Sequence, residues 1–425
     1  MSQILLPQTN LLDGKLLKQL FLGFYWLICS AGAFQLNLQA QEPGKSPAMS
    51  CSANLEKKTV EDSFKLAGDF LLQAQKPSGN FMYAYDWQRK RELTGDNQVR
   101  QAGTLWGLAL AYAYSQKPQF GRAVLRGIKF FRSRSRELSD SGRYVIYPGE
   151  RAGATGTIAL IALAYIDYLR AAPEIVLRKR KDLLTELDQY LQFLMSLRRS
   201  DGLWYSRYRL TDGKGYGTPS PYADGEAILA ITKAARYLGR KNLIKPAFDS
   251  ADSAYQRYVT EARRKHPDSP YTKGFYQWGS MSFYELATSS WPQSRKFGPY
   301  VIELADWMID VHRTLERRKN TAYAYEGIIH AYQLAKKLGL KDKQVKFGCV
   351  IARGLNKLIS WQVGGPLANN FAKKGASDSV ALGGVQNAAD EALLRIDVTQ
   401  HQAHALILAL RYFDFKSSKN SSGQP

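Results

Sequence analysis

The stretch Leu393-Leu-Arg-Ile-Asp-Val-Thr-Gln-His-Gln-Ala-His-Ala-Leu-Ile-Leu-Ala-Leu-Arg-Tyr-Phe413 decides how the rest of the chain is read. It is apolar enough to be a buried helix, yet its first turns carry Arg395, Asp397, Gln400, His401 and His404. Asp397, His401 and His404 stand at i, i+4 and i+7, so a helix places all three on one face. A buried helix that is polar only at its N-terminal end opens onto a cavity there.

Five further stretches have the same character: Gln98–Tyr114, Thr155–Leu169, Pro221–Leu238, Phe275–Ala287 and Ala322–Leu338. They are rich in Ala, Leu, Gly and Tyr and nearly free of charge after the first turn. Between them lie amphipathic segments with one charged face: Glu56–Gln75, Gly121–Glu137, Lys179–Leu197, Leu243–Arg264, Pro299–Leu315 and Lys343–Ser360. Helices apolar nearly all round are buried, and those charged along one stripe lie at the surface. Strand signals are confined to short pieces such as Arg143–Tyr147 and Trp204–Arg209.

The connections alternate as well. Links from a buried helix to the next surface helix are short, as at Gly239–Asn242 and Gly339–Asp342. Links from a surface helix to the next buried one are long and rich in Gly, Asp and aromatics, as at Lys76–Asn97, Arg198–Ser220 and Trp361–Leu394. Two of these carry a Gly-x-aromatic turn, Gly79-Asn80-Phe81 and Gly202-Leu203-Trp204, pointing to a repeat of about 50 to 70 residues. The expectation is an all-α fold: six inner and six outer helices closed into a ring, with every inner helix starting at the face that carries the long loops.

This pattern resembles the (α/α)6-toroid superfamily, which includes six-hairpin glycosidases, many polysaccharide lyases, uronosyl epimerases and terpenoid cyclases. The resemblance covers residues 52–415 and rests on helix alternation and the Gly-x-aromatic loops, so it speaks to fold before function.

The 425 residues carry a net charge of +22, with 45% hydrophobic and 12% aromatic residues, which excludes a disordered chain. The charge suits an anionic partner or a solvated basic surface. No basic helix or nucleic-acid motif accompanies it, so nucleic acid is not an expected partner. Lys15 and Lys18 precede the apolar run Leu20–Phe34, which ends in Ala31-Gly32-Ala33. That order is a signal peptide over residues 1–33, with cleavage as late as residue 40. Export to the periplasm or medium is expected, without stable membrane insertion after cleavage; an uncleaved N-terminal anchor is the alternative. Residues 34–51 read as a flexible lead-in and 416–425 as a disordered tail. Cys29 would leave with the signal. Cys51 and Cys349 would then remain, and ring closure would make their hairpins neighbours able to form a disulfide.

If the inner helices start together, their first turns line one pit. Carboxylates there are Asp224, Glu226, Glu326 and Asp397, and His401 follows Asp397 by one turn. Glu226 and Glu326 are followed by apolar residues, so each needs a partner or a function. Asp224 and Asp397 also suit a helix dipole. Tyr222, Tyr276, Trp278, Tyr323 and Trp204 supply rings that stack on pyranose faces, and Arg100 and Arg395 could neutralise an acidic group. Glu226, Glu326, Asp397, Asp224 and His401 are therefore the candidate catalytic groups. No phosphate loop or dinucleotide fingerprint is present, and no cofactor or metal is expected. The leading reading is an exported glycoside hydrolase with paired carboxylates, acting on an acidic or surface polysaccharide. The alternatives are a uronate lyase or C5-epimerase, and a non-catalytic polysaccharide-binding or export factor.

Overall fold

The computed structural model describes residues 53–139, 142–172 and 180–415. The expected signal peptide, the lead-in with Cys29 and Cys51, and the tail lie outside the described residues. Each inner helix starts for local reasons. Asn97 accepts a hydrogen bond from the Arg100 amide (3.0 Å) and starts α2, Gln98–Ser115. Pro221 at the first helical position opens α6, Pro221–Leu238, and Ser269 followed by Pro270 opens α9, Pro270–Ala287. The remaining inner helices are α4 (Thr155–Ala171), α11 (Ala322–Lys337) and α14 (Ile396–Tyr412).

The outer helices are α1 (Lys57–Ala74), α3 (Pro118–Ser133), α5 (Arg180–Ser196), α7 (Ile244–Tyr255), α10 (Phe297–Asp310) and α12 (Lys341–Ile359). A π-helical stretch, Gln256–Glu261, carries α7 on into α8, Ala262–Lys265. A short α13, Asn370–Lys374, lies in the last long loop.

The inner helices pack in one cycle: α2 on α4, α4 on α6, α6 on α9, α9 on α11, α11 on α14, and α14 back on α2. Each of α2, α4, α6, α9 and α11 packs against the outer helix that follows it, and α14 packs against α1. This is the expected (α/α)6 toroid. Two tight inner-to-outer links begin with left-handed glycines, Gly239 (φ 71°) and Gly339 (φ 70°), a conformation that costs a residue with a Cβ.

Closure joins residues far apart in sequence. Ala84–Asp86 pairs antiparallel with Leu393–Arg395. Ser63 Oγ donates to Gln362 Oε1 (2.7 Å), and Gln362 Nε2 returns a bond to the Ser63 carbonyl (3.0 Å). Asn356 Nδ2 holds the Asn54 carbonyl at 2.8 Å, which lays the first described residues along α12. Ala53, Asn54 and Leu55 line one groove with Cys349, and Cys349 is disulfide-bonded. The proposed partner, Cys51, lies outside the described residues.

Three boundaries differ from expectation by four residues or more. The fifth outer helix, α10, stops at Asp310 rather than Leu315, because left-handed Arg313 (φ 53°) leads into a separate 3-10 turn at Thr314–Glu316. The second outer helix, α3, stops at Ser133, because Ser135–Glu137 leaves it to pair with Arg143–Val145. The fourth inner helix begins at Pro270 rather than Phe275, since the Ser269 hydroxyl accepts from the Tyr271 amide (3.2 Å) and Pro270 fits the first turn. No helix among the described residues is long and apolar enough to cross a membrane.

Candidate functional site

The two Gly-x-aromatic turns are structurally equivalent, and they locate the site. In each, a positive-φ glycine (Gly79, φ 102°; Gly202, φ 86°) lets the chain turn back, and the aromatic bridges to the end of the preceding outer helix, Phe81 to Gln75 and Trp204 to Arg198. The aromatic's amide then reaches a side chain on the next inner helix: Phe81 N to Gln101 Oε1 (2.8 Å) and Trp204 N to Asp224 Oδ1 (2.8 Å). Both bonds span twenty residues. The last long loop does the same, bridging Gln362 to Val385 and pinning the Val385 amide to Thr399 Oγ1 (3.0 Å). Gln101, Asp224 and Thr399 are thus corresponding loop pins. Two residues beyond each pin stand Gly103, Glu226 and His401, and all three line one cavity of about 750 Å³ at the loop-bearing end of the ring.

Glu226 is 3% exposed and accepts no hydrogen bond from the described residues. Its carboxyl fills the space over Gly156, where an added Cβ would come within 2.1 Å of Oε2. Gly156, at the start of α4, therefore makes room for this carboxyl. Burial, reinforced by the nearby Asp224 charge, pushes Glu226 up to about 8, so it is a neutral acid at pH 7.

His401 is held from behind. Its Nδ1 lies 2.9 Å from Oε1 of Glu326, which is completely buried on α11. Gln277 Nε2 donates to Glu326 Oε2 (2.8 Å). Nδ1 of His404 stands 3.0 Å from the same oxygen, but out of hydrogen-bond alignment. Burial alone would raise Glu326; the His404 and His401 charges and the His401 hydrogen bond outweigh it and hold the carboxyl well below its usual range. Burial alone would lower His401; the charge and hydrogen bond of Glu326, joined by Asp397, outweigh it and raise the imidazole. With Glu326 ionised, Nδ1 carries the hydrogen on their shared bond, which leaves Nε2 for the cavity.

Asp397 lines the cavity between two arginines. Arg395 grips it bidentately (2.9 and 2.6 Å), and Arg100 Nε approaches to 3.2 Å. Burial would raise Asp397, but the Arg395 bonds and charge lower it, so it stays ionised. Trp278, Tyr222 and Tyr323 also line the cavity, Trp278 with its ring tilted over Trp106 (5.6 Å) and near His401 (6.3 Å).

Four expected site residues are not brought to the cavity, one of them Glu326, which sits behind His401. Asp224 is fully buried behind the wall, accepting from Trp204 N and Tyr258 Oη, as its role as a loop pin requires. Trp204 is fully buried and donates Nε1 to the Leu194 carbonyl (2.8 Å). Tyr276 is fully buried and donates to the Ala324 carbonyl (3.1 Å). Conversely, the structure adds Gln277, Lys273 and Arg318. Gln277 and Lys273 follow from the true start of α9, which puts Lys273, Gln277 and Trp278 on one face. Asp96 accepts from Gln101 Nε2 (2.8 Å) and Tyr147 Oη (2.7 Å) and stiffens the first long loop. Among the described residues no group of three or more His, Cys, Asp or Glu could hold a metal ion.

No protein-family model matches the sequence, and no curated protein matches it. Solved structures do match in fold. The cellobiose 2-epimerase of Bacillus thermoamylovorans superposes with a TM-score of 0.61 at 11% identity, over 84% of this chain and 98% of that one. A GH76 alpha-mannanase of Bacteroides thetaiotaomicron gives 0.56 at 10% identity, over 83% and 96%. An unsaturated glucuronyl hydrolase specific for heparin gives 0.54 at 10% identity, over 85% and 100%. The chain thus shares the (α/α)6-toroid architecture of these enzymes.

Proposed function

We propose that the protein is an enzyme acting on a saccharide, with Glu226 as general acid and His401, oriented by Glu326, as general base. One observation carries this reading: a neutral carboxyl and a carboxylate-backed imidazole open into the same cavity from corresponding helix positions. The neutral carboxyl can give a proton, and the imidazole, when unprotonated at Nε2, can take one. Aromatic rings beside them suit a pyranose face. The epimerase, mannanase and glucuronyl hydrolase that share the fold are in line with a saccharide substrate.

The arrangement favours proton exchange at a sugar carbon, as in epimerisation, isomerisation or elimination next to a carboxylate. Hydrolysis by paired carboxylates needs a second, ionised carboxylate open to the substrate. Glu326 is enclosed by two imidazoles and an amide, so it serves His401 rather than water. Hydrolysis remains the second reading because Asp397 is ionised and lines the cavity, where it could activate water opposite Glu226. Export belongs to the proposal on the strength of Lys15, Lys18 and the run Leu20–Phe34 alone.

The test is incubation of the purified protein with neutral and uronic oligosaccharides in deuterated water. Deuterium at a sugar carbon without new reducing ends supports exchange. New reducing ends support hydrolysis, and absorbance from an unsaturated uronate supports elimination. Whichever reaction appears, Glu226→Gln and His401→Gln should each slow it by about 10²- to 10⁴-fold. Normal turnover in both variants would refute the assignment, and binding without turnover of any substrate would favour a binding factor.

A further inference from the structure

The cavity is lined by six lysines and arginines, and they are not equivalent. Four already have a carboxylate partner. Arg395 and Arg100 share Asp397, Arg317 donates to Asp268 (2.9 Å), and Lys319 donates to Glu391 (2.8 Å). Lys273 and Arg318 have no carboxylate partner among the described residues. The Lys273 ammonium instead sits 4.9 Å from the Tyr323 ring centre and 6.0 Å from that of Tyr222, with the Tyr222 hydroxyl 3.5 Å away. The rings hold the ammonium in place without neutralising it.

We propose that Lys273 and Arg318 form an oxyanion-binding subsite at the cavity mouth, so that the saccharide presents a carboxylate or sulfate group between them. The proposal rests on the saccharide reading above and names the class of saccharide. A concave wall of low dielectric focuses the field of two unpaired cations far more than an open surface does. An ammonium supplies a point charge and a guanidinium a planar fork, a combination suited to an oxyanion on a sugar ring. Tyr222, half-exposed, and Tyr323 stand beside the ammonium, where they can cover the faces of that ring. Arg100 and Arg395, which carry more obvious sequence signals, are committed to Asp397 and would have to release it to serve the same purpose.

Isothermal titration of the purified protein with trigalacturonate, a sulfated heparin-derived tetrasaccharide and cellotriose, at low and high salt, tests this. Both or either of the anionic probes should bind at least about tenfold more tightly than cellotriose, with the advantage shrinking at high salt. Lys273→Gln and Arg318→Gln should each remove about tenfold of that advantage while leaving thermal unfolding and cellotriose binding unchanged. His401→Gln should keep the preference intact, so a failure of the proton-transfer reading would not be mistaken for a failure of the subsite. Preference for the uronate probe alone assigns a carboxylate, and for the heparin probe alone a sulfate. Equal affinity for anionic and neutral probes, no anionic binding, or an undiminished preference in the Lys273→Gln/Arg318→Gln double variant would overturn the proposal.

Discussion

Replacing Glu226 with Gln tests the central electrostatic feature without knowledge of the substrate. Glu226 has an ordinary value of 4.5 and stands at about 8 in the folded protein. Because the folded value is raised, its contribution to stability is fully present below the unfolded value and is lost as pH rises through the folded one. Every tenfold difference in proton affinity between the folded and unfolded chain is worth about 1.4 kcal/mol, so the wild type should lose about 5 kcal/mol relative to the Gln variant between pH about 4.5 and about 8. At roughly 2.1 cal/mol/K per residue, a domain of roughly 360 residues converts this to about 6 °C in midpoint. Asp224, also raised by burial, to about 7, titrates in both proteins and cancels to first order in the difference. The assay is thermal unfolding of both proteins across that pH range, with the difference in midpoint plotted against pH. A difference that grows with pH and levels off above about 8 supports a neutral buried acid. A flat difference would refute the reasoning, since Glu226 would then be ionised in the fold and unable to act as the acid.

Glu326→Gln should lower the His401 titration, because the charge and hydrogen bond that offset burial are lost. Nitrogen-15 NMR of labelled histidine reads this directly, and an unchanged titration would end the pairing. Gly156→Ala should displace the Glu226 carboxyl, whose oxygen stands 2.1 Å from the added methyl; loss of the pH-dependent midpoint difference described above is the readout. Lys233→Met should cost about 1 to 3 kcal/mol, since buried Asp167 loses its 2.6 Å partner but keeps Arg170 at 3.0 Å and Trp106 Nε1 at 2.8 Å, and adding Asp167→Leu should recover much of the loss in denaturant unfolding. Peptide mapping of the unreduced protein should join Cys349 to Cys51; a peptide joining Cys349 to Cys29 would refute both that bond and early signal cleavage.

The ring was legible because burial leaves a plain record in composition. Helices such as Thr155–Ala171, surrounded on all sides by other helices, carry no charge before Asp167. Outer helices such as Lys57–Ala74 must face water along one side and show it. Boundaries were less legible, since they depend on competition that periodicity does not report. Ser135–Glu137 continues the helical pattern of Pro118–Ser133, yet a strand partner at Arg143–Val145 takes it.

The site was legible only as a list of polar residues near helix starts, and that list mixed two kinds of residue. Asp224 and Glu226 are two positions apart on one helix and look alike in sequence, but a helix turns these two side chains about 200° from each other. The loop takes Asp224 as its pin, and the cavity receives Glu226. The sequence does hold a signal that separates them. Phe81 and Gln101, like Trp204 and Asp224, stand twenty residues apart, so the aromatic of each Gly-x-aromatic turn marks its own pin. Counting two residues past the pin reaches Gly103 and Glu226, both on the cavity wall. His401 follows the same rule from Thr399, but its loop lacks the Gly-x-aromatic turn, and only the observed Val385 to Thr399 bond reveals the correspondence. Glu326 shows the opposite limit. Its position near the start of α11 suggested a group facing substrate, whereas the side chain turns inward to the imidazoles of α14. Which way a carboxylate turns at such a position depends on the neighbouring helix in the ring. That neighbour comes from a distant part of the chain, 75 residues on in the case of His401.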